Sequence, residues 1–218
     1  MVGVFGVGAL RSEAFTSLWY DGLALSLDAL AGARIWTLVT YAWLHDLGGP
    51  LHLIANLVGL YFLAPELEAR WRKRAFLRFF LICIVGGGVF AAVGAGLGGL
   101  FGAAPQVTVG ASAGVMGLLA AWSMANPRRK LLLMFVLPVE GRYVLPIVLG
   151  LDALIAFSGS DTSFSAHIGG VVAAWLQLGG GRRWLTRLQK RRHNHQRAAM
   201  RGRLHVVKGG RDDDPTVN

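Results

Sequence analysis

The stretch Val109-Gly110-Ala111-Ser112-Ala113-Gly114-Val115-Met116-Gly117 places one hydroxyl among small residues at the start of an apolar segment. Small residues let membrane helices approach closely, and a serine in such a helix commonly bonds back to a carbonyl one turn earlier. A serine in the first turn of a helix also lies where the helix dipole favours developing negative charge. The stretch alone leaves two interpretations of Ser112 open, a packing residue or a nucleophile.

The composition around this stretch is that of a membrane protein. Of the 218 residues, 54% are hydrophobic and 16% charged, there are 30 glycines, and the mean hydropathy is +0.48. Long uncharged runs with this glycine content indicate an all-α polytopic membrane protein rather than a soluble domain. The apolar runs predicted to form membrane helices are residues 51–67, 75–97, 110–124, 143–157 and 166–178.

The remaining segments divide the chain into three parts. Residues 1–20 are too short for a clean span of about 20 residues, so we expect a remnant of a first transmembrane helix or an interfacial segment. Residues 21–180 form the predicted membrane core, within which 131–139 are apolar but too short to span and are expected at the interface. Residues 181–218 are a basic tail. The single Cys83 excludes an intramolecular disulfide and a cysteine-rich metal site.

The formal net charge of +10 is concentrated in clusters. Basic residues follow three of the apolar runs, at 70–74, 128–130 and 182–203, and the positive-inside rule assigns these ends to the cytoplasm. The tail is therefore predicted to be cytoplasmic and to contact anionic lipid headgroups. Nucleic-acid binding is disfavoured, because the basic stretch is short and the rest of the chain is apolar.

The helical rise of about 1.5 Å per residue measures how deep the polar side chains lie. Ser112, Asn56 and His167 lie about 24, 21 and 22 Å above the basic cluster that ends their own helix, and His52 about 27 Å. Polar side chains in hydrocarbon normally face one another or a water-filled cavity. These four residues, on three predicted helices, are therefore expected to share one layer near the outer face.

A hydroxyl, an imidazole and two further polar side chains are the parts needed for acyl transfer. His167 is the candidate general base for Ser112, and His52 and Asn56 are the candidate oxyanion donors. Gly170 and Ala174 form a small-xxx-small pair that would bring the last helix against the serine helix.

No acidic residue is expected beside His167. Asp152 lies in the middle of another predicted helix, and Asp161 lies in a loop. The predicted catalytic unit is therefore a Ser112–His167 dyad.

Each of these polar residues also has a simpler interpretation. Taken alone, Asn56 is interpretable as a helix-packing residue and His167 as a buried histidine whose hydrogen bonds are satisfied. His52 with His45 and Asp46 fits no common metal-ligand spacing, so no metal or other cofactor is predicted.

Three short motifs carry a resemblance to the rhomboid intramembrane serine proteases. His52-Leu-Ile-Ala-Asn56 resembles the HxxxN motif of that family, Gly110-Ala-Ser112-Ala its GxSx motif, and Ala166-His167-Ile-Gly-Gly170 its AHxxG motif. They occur in this order on three predicted helices, and the match covers roughly residues 36–180. Glu68 resembles the acidic residue of the family at the inner end of the first of these helices.

The resemblance implies a rhomboid-like six-helix bundle, whose first helix looks incomplete here, and a serine endopeptidase. Its substrates would be transmembrane proteins cut near the outer face, with residues 158–165 forming part of a cap. The implied location is the bacterial plasma membrane. Ala113 and Met116 depart from the residues that many members carry, without removing a catalytic group.

Two other functions stay open on the sequence. One is an inactive rhomboid-like protein that binds transmembrane helices without cutting them. The other is a small transporter, which would need intramembrane charges or an internal repeat, and Asp152 is the one candidate charge found.

Overall fold

A computed structural model describes residues 20–45, 50–102, 104–133, 136–158 and 163–179. Of the segments predicted above, residues 1–19, 180–218 and 159–162 lie outside the described residues, as do Asp46 and Asp161. The described part of the chain is mostly helical. Its helices are α1 (Leu27–Ala31), α2 (Thr37–Thr40), a 3₁₀ turn (Tyr41–Trp43), α3 (Leu51–Trp71), α4 (Lys73–Leu100), α5 (Ser112–Ala125), α6 (Gly141–Phe157) and α7 (Phe164–Gln177).

Helices α3 to α7 fall on the five apolar runs, but the predicted bundle of six membrane spans is not confirmed. Among the described residues, only α4 is long and apolar enough to cross a membrane by itself. Helix α5 is apolar but has 14 residues, which gives about 21 Å of helix against a hydrocarbon core of about 30 Å.

The sequence missed a β-hairpin in the region expected to be an apolar interfacial segment. Strands β1 (Lys130–Leu133) and β2 (Leu137–Glu140) pair antiparallel, with Lys130 opposite Glu140. The all-α prediction is wrong at this point. Four-residue strands are too short to show a distinctive periodicity, and their pairing depends on the turn between them.

The basic cluster at 70–74 occupies the turn between two long helices. Helix α3 ends at Trp71, and the next residue, Arg72, has a φ of +68° and donates its backbone N–H to the Glu68 carbonyl at 2.8 Å. Helix α4 begins at the next residue, Lys73. A single residue with a positive φ therefore separates the two helices.

Helices α4, α5 and α7 pack through small residues. A methyl group at Gly170 would lie 2.0 Å from the Ala113 carbonyl oxygen, and one at Gly87 would lie 2.2 Å from the Ala113 Cβ. Ala174 is completely buried. The predicted close approach of the last helix to the serine helix is confirmed at Gly170.

Helices α5 and α6 differ sharply in burial. Ten of the 14 residues of α5 are buried. On α6 only Gly141, Val144 and Asp152 are buried, while apolar side chains such as Leu151 and Leu154 are exposed. Helix α5 is therefore the centre of the described core, and α6 is attached at its edge.

Candidate active site

Ser112 and His167 come together although they are 55 residues apart in the sequence. Ser112 is the first residue of α5, and His167 lies in the first turn of α7. The His167 Nε2 atom is 2.7 Å from the Ser112 Oγ atom. A ring nitrogen at this distance can accept the hydroxyl proton when the other nitrogen carries the ring proton.

The segment before Ser112 is fixed by backbone contacts. Gly110 has a φ of +108°, a conformation that side chains strain, and its N–H donates to the Tyr41 carbonyl at 2.9 Å. The Tyr41 hydroxyl, itself buried, donates to the Ile84 carbonyl of α4 at 2.8 Å. The turn that delivers Ser112 to the head of α5 is thus attached to the 3₁₀ turn and, through it, to α4.

The second ring nitrogen of His167 contacts a carboxylate. Its Nδ1 atom is 2.6 Å from the Asp152 Oδ2 atom, and the two side chains are only 10% and 9% exposed. The prediction that no acidic residue lies beside His167 is therefore wrong. The usable signal was that a carboxylate inside an apolar helix needs a partner.

His52 lies against the turn that precedes the serine. A methyl group at Gly110 would be 2.6 Å from the His52 Cε1 atom and 2.8 Å from its Nε2 atom. Asn56, one turn further along α3, is buried, and its Nδ2 atom donates to the His52 carbonyl at 3.0 Å. An amide carries two N–H bonds, and this contact uses one of them. The structure thus brings His52 near the serine turn, whereas the described hydrogen bond of Asn56 stays within α3.

His45 packs against His52 and is neutral at physiological pH. The two rings are 5.6 Å apart between centroids, at 63° to one another. Burial, and secondly the neighbouring His52, lower the pKa of His45 to about 4. Within the described residues, no group of three histidine, cysteine or acidic side chains is placed to hold a metal ion.

The opposite end of α5 is held by a second polar cluster, which we call the Glu66 cluster. The Glu66 carboxylate accepts four hydrogen bonds at 2.6 to 3.2 Å, from Arg70, Trp122, Asn126 and Arg129. These contacts join α3 to the last turn of α5 and to the segment that follows it. The residue that makes these contacts is Glu66. The family resemblance pointed instead to Glu68, two residues later.

Comparison with known proteins identifies the family. The Rhomboid domain model matches residues 32–179, a range that contains all of the site residues described above. The chain belongs to the rhomboid family, as the resemblance of its three motifs predicted. RHOMBOID-like protein 12, mitochondrial, from Arabidopsis thaliana is 30% identical over 195 residues, which cover 83% of this chain and 56% of the length of that relative. The chain thus spans little more than half of that relative.

Proposed function

We propose that this protein is an intramembrane serine endopeptidase that cleaves transmembrane segments of membrane proteins near the outer face of the membrane. The observation that carries the proposal is the 2.7 Å contact between Ser112 Oγ and His167 Nε2. Membership of the rhomboid family supports it, because the motifs of the family coincide with these two residues and with His52 and Asn56.

In the proposed reaction, Ser112 is the nucleophile and His167 the general base. His167 accepts the hydroxyl proton as Oγ attacks the scissile carbonyl carbon, and it returns that proton to the leaving amine. The same base then activates a water molecule, which releases the acyl group and restores the serine.

The negative charge of the tetrahedral intermediate needs hydrogen-bond donors. We assign this role to the side chains of His52 and Asn56 and to the backbone N–H of Ser112 at the start of α5. The position of the His52 ring beside Gly110 supports the assignment. For Asn56 the support is its burial one turn further along the same helix.

The proposed substrates are transmembrane proteins, cut where their helix is unwound. A helix in lipid keeps its peptide groups hydrogen-bonded, so cleavage requires a segment that leaves the helical conformation. We further propose that the tail, residues 181–218, is cytoplasmic and contacts anionic lipids. From the sequence we place the protein in a bacterial plasma membrane; the Arabidopsis relative is by its name mitochondrial.

Covalent labelling with a fluorophosphonate probe tests the nucleophile. Purified protein in detergent is expected to be labelled, and Ser112→Ala and His167→Ala are each expected to abolish the labelling. Ser123→Ala is the matched control, since Ser123 is the other serine of the same helix and is buried. Equal labelling of the wild type and Ser112→Ala would refute the proposal. Binding of a transmembrane peptide without labelling or cleavage would favour the inactive, helix-binding alternative.

A further inference from the structure

We propose that Asp152 is a positioning residue that acts through His167, so that the site works as a Ser112–His167–Asp152 triad rather than a dyad. The inference rests on the proposed function, since it assigns a task within that reaction. Neither the family motifs nor the depth of the residues in their helices assigns any task to Asp152.

The geometry gives the histidine ring one defined tautomer. An ionised carboxylate has only acceptor atoms, so at 2.6 Å from Nδ1 it requires the ring proton to sit on Nδ1. The Nε2 atom is then left with its lone pair, 2.7 Å from the Ser112 hydroxyl. Without the carboxylate the ring can carry its proton on either nitrogen, and a proton on Nε2 prevents it from accepting one from serine.

The same contact stabilises the charge that forms on attack. When Oγ bonds to the carbonyl carbon, its proton moves to Nε2 and the ring becomes a cation. The Asp152 carboxylate, of which only 9% is exposed, then faces a positive partner, and charge interactions are stronger at a buried site than in bulk water. The proton leaves with the amine as the C–N bond breaks, and Asp152 remains ionised throughout.

Burial argues that Asp152 is placed for this contact. Beyond its first turn, the exposed residues of α6 are apolar, and Asp152 is one of only three buried residues on the helix. A buried carboxylate is costly unless a partner compensates it. The competing interpretation is that the pair only fastens α6 to α7, and the experiment has to separate fastening from positioning.

Substitution of Asp152 by Asn keeps the size and removes the charge. We expect kcat for a transmembrane substrate to fall by about 10² to 10⁴-fold, with KM within about threefold of wild type, because the tautomer and the ion pair matter after binding. Asp28→Asn, the same change at an exposed residue, is expected to leave kcat unchanged. Val144→Ala removes buried contacts from α6 without touching His167. It is expected to lower the unfolding temperature while changing kcat less than about threefold.

Nitrogen NMR of the full-length protein labelled with ¹⁵N-histidine supplies a readout that needs no activity. The His167 signals, assigned by their absence in His167→Ala, are expected to show Nδ1 protonated and Nε2 unprotonated at neutral pH. In Asp152→Asn the Nε2-protonated form is expected to appear.

Two results would overturn the triad. One is a wild-type ring protonated on Nε2, which decides the question even if Asp152→Asn does not fold. The other is a folded Asp152→Asn that keeps kcat within threefold while Ser112→Ala is inactive. If instead Ser112→Ala retains full activity, the endopeptidase proposal itself fails, whatever the NMR signals show.

Discussion

The two ends of α5 hold their polar groups in different ways. At the N-terminal end, Ser112, His167 and Asp152 form two hydrogen bonds in series through one imidazole ring. At the C-terminal end, the Glu66 cluster brings four donors to one carboxylate in parallel. Hydrogen bonds in series allow a proton to be transferred in one defined direction, and this transfer requires every member. A parallel arrangement loses only a share of its stabilisation.

The two ends also differ in exposure to solvent. The side chains of the His167–Asp152 pair are about one-tenth exposed, whereas those of Arg70 and Arg129 in the Glu66 cluster are 44% and 61% exposed. Exposed ion pairs contribute little to stability. Trp122 is buried, so its N–H hydrogen bond to Glu66 is expected to contribute more to stability than the two arginine contacts do.

The largest expected effect tests the series arrangement by combining two substitutions. Ser112→Ala is expected to lower kcat by at least about 10⁴-fold, and Ser112→Ala with Asp152→Asn to lower it no further, because residues that act as a unit are not additive. Single-turnover cleavage of a transmembrane substrate measures both variants. A double variant whose loss equals the product of the single losses would show that the two residues act independently.

A smaller effect is expected when the same substitution is made at the two ends. Asn56→Ala is expected to lower kcat about 100-fold with little change in KM, since an oxyanion donor acts mainly in the transition state. Asn126→Ala, in the Glu66 cluster, is expected to leave kcat within about threefold and to reduce the free energy of unfolding by about 1 kcal/mol. Steady-state kinetics and thermal unfolding in detergent separate the two. Loss of fold in Asn56→Ala without a selective kinetic effect would assign that residue to packing.

The smallest expected effect on turnover concerns the two neighbouring glutamates of α3. Glu66→Ala leaves the Trp122 N–H without its acceptor and is expected to reduce the free energy of unfolding by about 2 kcal/mol. This corresponds to a fall of roughly 4–8 °C in unfolding temperature, with kcat within about fivefold of wild type. Glu68→Ala is the matched control and is expected to cost less than about 0.5 kcal/mol. If Glu68→Ala lost more stability than Glu66→Ala, the structural role would belong to Glu68, the residue that the family resemblance indicates.

These contrasts show which features were predictable from the sequence. The apolar runs located α3 to α7, and helical rise placed Ser112 and His167 at similar depths, where the structure joins them. Rise gives depth but not the direction in which a side chain points. Two residues along a helix differ by about 200° around its axis, which is why Glu66 and Glu68 face different surroundings.

Asp152 was missed for a related reason. Its position within an apolar helix was visible in the sequence, but not the rotation of α6 that turns it towards His167. The hairpin at 130–140 was missed because its strands pair across a turn, and such short segments give little local signal. Contacts that depend on the orientation of one element relative to another were therefore harder to predict than the elements themselves.

The uneven attachment of the helices has a consequence for regulation. Ser112 and His167 lie on helices that are locked together by the contact of Gly170 with Ala113, whereas Asp152 belongs to the peripheral helix α6. A displacement of α6 alone would break the Asp152–His167 contact and leave the Ser112–His167 contact in place. Under the proposed triad, turnover would then scale with the fraction of molecules in which α6 is docked against α7.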